Sequence, residues 1–272
     1  MKADSNLKLI EGAENRTIFL GLDQFRDELP GSGVAGKNPL KDKRVRQALY
    51  QAIDSAGLHS RTMRNLSVPA GVMVAPMVHG WSKQLDERAA KYDVEAAKKL
   101  LADAGYPQGF ALKLDCPNDR YVNDEAICQA VTAMWTRIGV KTNLQTAPMA
   151  QFVSRVMNND VSAYLFGWGV ATFDALYSLE ALMATKDGKT SAGNYNGGRF
   201  SDATLDGMIG QIKVEMDAAK RDALLAQALQ RVKDGYYYIP LHHQIRPWAM
   251  RKNVETPHRA DDRPMPTWTT IK

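Results

Sequence analysis

The stretch from Asp124 to Gly169, DEAICQAVTAMWTRIGVKTNLQTAPMAQFVSRVMNNDVSAYLFGWG, constrains the fold of this chain more than any other. Its pattern predicts helix, strand, helix, strand. Apolar residues recur at helical spacing from Ile127 through Val131, Met134 and Trp135 to Ile138, and Gly139 follows as a left-handed cap. Val140, Thr142 and Leu144 then alternate as in a half-buried strand, and a second helix is expected from about Ala150 to Met157. Ala163 to Trp168 reads as a buried strand ending in a glycine-flanked tryptophan. Ligands of open α/β sheets sit at the carboxyl ends of strands, so the loop after Gly167-Trp168-Gly169 is the first place to look for function.

Strands separated by helices elsewhere give an α/β chain with a mixed sheet flanked by helices and no internal repeat. Arg16 to Leu22 and Leu112 to Cys116 are strand-like, and Asp93 caps a helix that stops before Gly105-Tyr106-Pro107. A helix is expected from about Asp174 to Met183, with two more near Ala203 to Glu215 and Ala218 to Lys233. Strands from Tyr236 to Ile245 and from Trp248 to Arg251 close the fold; Pro240 in the first favours an edge position or a crossover entry.

At 272 residues and 44% hydrophobic content the chain can bury one sizeable core, or one core plus a small appendage. No run approaches the roughly 18 apolar residues of a membrane span. The start, Met1 to Asn6, lacks the apolar core of a signal peptide, which taken alone suggests the cytoplasm. The net charge of +5 comes from 35 basic and 30 acidic residues that are interspersed, a pattern of a solvated surface and not of a nucleic-acid groove.

Catalytic and metal chemistry find little support. His242 and His243 are neighbours on an expected strand and face opposite ways, while His59, His79 and His258 stand alone, so no metal site is expected. No Gly-x-Ser-x-Gly elbow is present, and no cofactor is expected. Cys116 could act as a nucleophile only beside a histidine; a small hydrolase is therefore the alternative reading, not the leading one. A bridge from Cys116 to Cys128 is geometrically possible, but the expectation is two buried free thiols, since small buried cysteine behaves as a hydrophobe.

"IGVK", an amphipathic helix and then "YLFGWG" resemble the C-terminal lobe of the periplasmic solute-binding proteins of ABC importers, in the oligopeptide and dipeptide-binding class, family 5. Asn38 to Asp54 (NPLKDKRVRQALYQAID), Asp93 to Tyr106 (DVEAAKKLLADAGY) and Tyr236 to Trp248 (YYYIPLHHQIRPW) agree, in the family's order. The resemblance implies a two-lobe, hinge-closing fold of which this chain is one α/β lobe. Residues 1–37 would be the crossover from a missing first lobe, 38–253 the solute-binding lobe, and 254–272 an irregular tail. It further implies a periplasmic location, a peptide or similar small solute as ligand, and a membrane permease as partner. A sensor module built on the same lobe is a further alternative.

Peptide binders of this class carry an aspartate for the ligand's ammonium group a few residues after Gly-Trp; that position is Ala171 here, and Asp174 corresponds to a second, less direct acid. The basic residue that some members place just before Gly-Trp is Leu165. Either Asp174 takes the ammonium role, or the ligand has no free amino terminus, and the second is favoured. The candidate ligand-binding residues are Trp168, Gly169, Thr172 and Asp174, with Asn194, Asn196 and Arg199 from the polar loop NYNGGRF.

Overall fold

The computed structural model describes residues 4–272. A six-stranded mixed sheet runs through its middle in the order β2-β6-β1-β5-β3-β4. The strands are β1 (Leu7–Leu22), β2 (Ser67–Pro69), β3 (Ala111–Pro117), β4 (Lys141–Ala147), β5 (Ala163–Gly169) and β6 (Tyr238–Arg251). β5, β3 and β4 are parallel neighbours, whereas β1 is antiparallel to both β5 and β6.

Helices cover both faces, which is why β5 is apolar without alternation. Along β1, Ile18, Leu20 and Leu22 enter one core and Phe19 the other; along β5, Ala163 and Leu165 part in the same way from Tyr164, Phe166 and Trp168. The first core is closed by α1 (Lys43–Gln51), the short turn α2 (Ser55–Gly57), α3 (Val94–Asp103) and α4 (Asp124–Thr136). Against the second pack α5 (Met149–Met157), α6 (Ala175–Ser178), α7 (Ala203–Val214) and α8 (Ala218–Asp234). Asp42, Asp54, Asp93, Asp174, Asp202 and Asp217 each cap the start of a helix by accepting a backbone N–H. Gly139, at φ 89°, turns the chain from α4 into β4, a conformation costly for any side chain.

Three features depart from the expectations above. β1 begins at Leu7, not Arg16, and β6 runs unbroken through Pro247, because Leu7–Ala13 pair with Ile245–Arg251 to form a two-stranded arm. This arm extends past the end of β5, whose last pair with β1 is Gly169 and Arg16, so no third strand supplied the burial pattern that periodicity reads. Past the arm, 254–272 carries a two-residue ladder of β7 (Val254–Glu255) and β8 (Thr270–Ile271). Pro240 lies beside a register shift of β6 against β1 and beyond the three residues with which β2 pairs, where a missing N–H costs nothing.

The cysteines are a correction. Cys116 and Cys128 are not free but disulfide-bonded, with their Cα atoms 6.5 Å apart. The first turns of α4 lie directly over the end of β3, and both residues are fully buried, so burial that suggested inert thiols places the two sulfurs together.

Candidate functional site

The register of β1 against β6 slips between Ala13 and Thr17, so that Glu14, Asn15 and Arg16 bulge out where the arm leaves the sheet. The bulge lies beside the carboxyl end of β5. Asn15 Nδ2 donates to the Val170 carbonyl at 2.9 Å, and the Val170 N–H returns a bond to the Asn15 carbonyl at 3.1 Å. Arg16 donates through Nε to Glu14 Oε1 at 2.7 Å and through Nη1 to the Gly167 carbonyl at 3.1 Å. Gln244 donates to the other oxygen of Glu14, which satisfies that buried carboxylate.

The loop between β3 and α4 forms the adjoining wall. Tyr121 donates its hydroxyl to the same Gly167 carbonyl at 3.2 Å, and burial pushes its phenol up. The guanidiniums of Arg16 and Arg120 lie 5.8 and 5.4 Å from its ring centre. A Cβ on Gly167 would fall 2.6 Å from Ile18 and 2.7 Å from Tyr121, so glycine is what lets the ring seat against the strand. From the tail, Ala260 accepts the Asn15 N–H at 2.8 Å, and Asp262 receives Trp248 Nε1 at 2.8 Å and pairs with Arg246 at 3.0 Å. These contacts fold 259–263 over the arm. Asn15, Arg16, Gly169, Ala171, Phe173, Asp261 and Arg263 enclose a cavity of about 160 Å³.

The expected site residues fall into three groups. Gly169 lines this cavity. Trp168 points to the opposite face of β5, 8% exposed, stacked on Tyr177 at 5.2 Å and tilted against Tyr195 at 4.8 Å. Its buried Nε1 has no hydrogen-bond partner among the described residues. Tyr177 and Tyr195 stand about a third exposed next to it, making an aromatic rim.

Asp174 is engaged. It caps α6 through Leu176 N, receives both Arg221 Nη atoms at 2.8 and 2.9 Å, and meets His79 Nδ1 at 3.1 Å. Burial alone would raise its carboxyl, but the bonds from Arg221 and His79 outweigh it and hold the group at about 2. His79 also contacts Asp222 at 2.7 Å, and its bond to Asp174 pulls its imidazole up. Thr172, exposed, accepts the Asp174 N–H at 3.3 Å, a local turn.

The polar loop behaves differently. Asn196 is fully buried and donates to the Ala184 and Phe200 carbonyls, so it shapes the loop. Arg199 stacks on Phe25 at 3.7 Å, and Gly198 before it bonds Gln24 beside Leu22, which pairs with Ala163 at the other end of β5. Asn194 is half-buried in the same loop. The structure does not bring Asn196 or Arg199 to the cavity at Gly169. Sequence reading missed Asn15, Arg16, Arg120 and Arg263; the polar run Glu14-Asn15-Arg16, leading into the apolar Ile18–Leu22, was the one signal available.

A hydroxyl, an imidazole and a carboxylate do line up elsewhere. Thr17 Oγ1 lies 3.0 Å from His243 Nδ1, and His243 Nε2 lies 2.9 Å from Asp86. Thr17 is 1% and His243 2% exposed, so no substrate reaches the hydroxyl. Asp86 also accepts from the N–H groups of Gly71 and Val72 and from Trp81 Nε1, which makes it the tie between the 70–81 loop and β6.

The chain is similar over its whole length to half of a crystallised dipeptide-binding protein from Pseudoalteromonas in complex with Met-Leu (18% identity, TM-score 0.85, 51% of that chain covered). That likeness gives the fold, a lobe of the periplasmic-binding-protein architecture. Heme-binding protein A of Haemophilus influenzae is 27% identical over 253 residues, 90% of this chain and 42% of that protein. An oligopeptide-binding protein of Lactococcus lactis is 27% identical over 252 residues, 86% of this chain and 41% of that one. The chain thus spans about two fifths of the length of these curated relatives. Residues 1–190, which hold β1 with its bulge, β3, β5 and the loop after it, match the family described as bacterial extracellular solute-binding proteins, family 5 (middle), and to that family this chain belongs.

Proposed function

We propose that this chain is one wall of a solute-capturing cleft in the extracytoplasmic binding component of an ABC importer, which holds a small solute and hands it to a membrane permease. The observation that carries this reading is the coincidence at one end of the sheet. The arm of β1 and β6, the bulge, the carboxyl end of β5 and the aromatic rim of Trp168 all meet there. A second lobe continuing from the arm would face that end, where strand termini of an α/β sheet receive ligands. The Cys116–Cys128 bridge suits an oxidising, extracytoplasmic compartment. With Ala171 where peptide binders carry an acid and Asp174 committed to Arg221 and His79, the solute is one without a free ammonium group at this subsite.

Mass spectrometry of small molecules released on denaturing the full-length protein tests the reading. A near-stoichiometric solute, absent after refolding and dialysis, is expected. Repeated purification with nothing bound, and no solute from a metabolite library shifting the melting temperature, would overturn it.

A further inference from the structure

The cavity at Ala171 has a charge pattern that specifies what it accepts. Its lining carries two guanidiniums, Arg16 and Arg263, and one carboxylate, Asp261. Asp261 is consumed by Arg259, which bonds both its oxygens at 2.9 and 2.5 Å. Glu14, behind Arg16, is divided between Arg16 Nε and Gln244. Arg263 makes no ion pair among the described residues. The lining therefore keeps a positive excess, and the acids next to it in sequence are also paired: Asp262 with Arg246 and Asp174 with Arg221.

Arg16 is also presented for recognition. Nε and Nη1 are fixed by Glu14 and the Gly167 carbonyl, and this pins the plane of the guanidinium. Nη2 makes no hydrogen bond among the described residues. A Cβ at residue 169 would stand 3.1 Å from Nη2, so Gly169 keeps the approach to it open. The side chain is 17% exposed, which strengthens a charge interaction at Nη2 relative to one in open water. Held rigid and largely desolvated, a guanidinium fork is suited to a planar oxyanion.

We propose that this cavity is an anion subsite, in which a carboxylate of the captured solute is held between Arg16 Nη2 and Arg263. The assignment rests on the solute-capture reading for its biological use, but its chemistry can be tested without it. Ala171 is the switch: methyl in place of carboxylate removes the acid that would otherwise neutralise Arg16 and reject an anion.

The test is a titration of the ¹⁵N-labelled chain, following arginine Nε–H resonances at fixed ionic strength, with Arg16 assigned through Arg16→Lys. Succinate, inorganic phosphate and 1,4-diaminobutane are the probes. Succinate should shift the Arg16 resonance saturably, about 5-fold more weakly in Arg263→Gln, and not at all in Ala171→Asp. Both substituted residues are exposed, so these variants are expected to fold. No saturable shift with succinate, an undiminished shift in Ala171→Asp, or a shift by the diamine would overturn the anion assignment. An equal response to phosphate would overturn its restriction to carboxylates. Solute release from the full-length protein reports separately on capture, so either reading can fail while the other stands.

Discussion

His242 is buried in β6 with its Nε2 unpartnered among the described residues, and burial, followed by the charges of His243 and His59, pushes its imidazole down to about 3. The unfolded chain binds this proton near pH 6.5 and the folded chain does not, so His242 costs stability progressively as pH falls from about 6.5 toward 3. His79 works in the opposite direction. Its raised value means its contribution is present below about 6.5 and fades as pH rises through the folded value. His79 is half exposed, so screening reduces its part, and the buried group dominates. Urea unfolding should therefore show lower stability at pH 5 than at pH 7, and His242→Gln should flatten that slope; equal slopes in the two proteins would remove His242 from the account. Asp174 joins the same cluster, and Asp174→Asn should cost about 1 kcal/mol at pH 7, the worth of a partly exposed bidentate pair. That loss should vanish below about pH 2, where the carboxyl held at about 2 is protonated in the wild-type protein too.

At the scale of elements, the connection of β3 to α4 and the close approach of Tyr121 to β5 hold the candidate wall in place. Replacing Cys116 and Cys128 together by serine opens a loop of 12 residues, and should lower stability by about 2 to 3 kcal/mol in urea, the same loss that reductant should produce in the wild-type chain. Gly167→Ala sets a methyl within 2.7 Å of both Ile18 and Tyr121, and overpacking of that kind should cost about 1 to 3 kcal/mol while displacing the Tyr121 ring. Near-ultraviolet circular dichroism would register the displacement. These same elements mark what the sequence could disclose. α4, β4 and α5 were legible because each turns a face inward with a period written in its own residues, and β5 because it is an unbroken apolar run that ends in glycine-flanked tryptophan. The first strand of the arm was not, since Leu7–Ala13 is half-exposed and takes its regularity from pairing with Ile245–Arg251. Arg16 reaches the site through a two-residue slip in register, a property of a strand pair that neither strand alone encodes. Ala171 was singled out through a family resemblance, and Asn196 and Arg199 through the composition of a polar glycine-rich loop, which is the same whether the loop binds a solute or braces its own turn.

For the whole molecule, the decisive quantity is how much of a solute one wall can cover. A drug-sized ligand in a specific site loses roughly 70 to 90% of its surface to the protein. On the two-lobe reading, this chain offers the sheet end, the cavity of about 160 Å³ and the aromatic rim, and the facing surface belongs to residues beyond it. If each wall contributes comparably, a solute held at about 1 µM, roughly −8 kcal/mol, keeps about half of that free energy on this wall and falls to the millimolar range. Calorimetry on the chain alone and on the full-length protein, with the solute identified by mass spectrometry, should therefore differ by at least about 100-fold in Kd. Arg16→Lys should weaken both by a similar factor, because the contact it alters lies on this wall in each. Equal affinities for chain and full-length protein would show that one lobe suffices, and the arm of β1 and β6 would then need another explanation than a hinge.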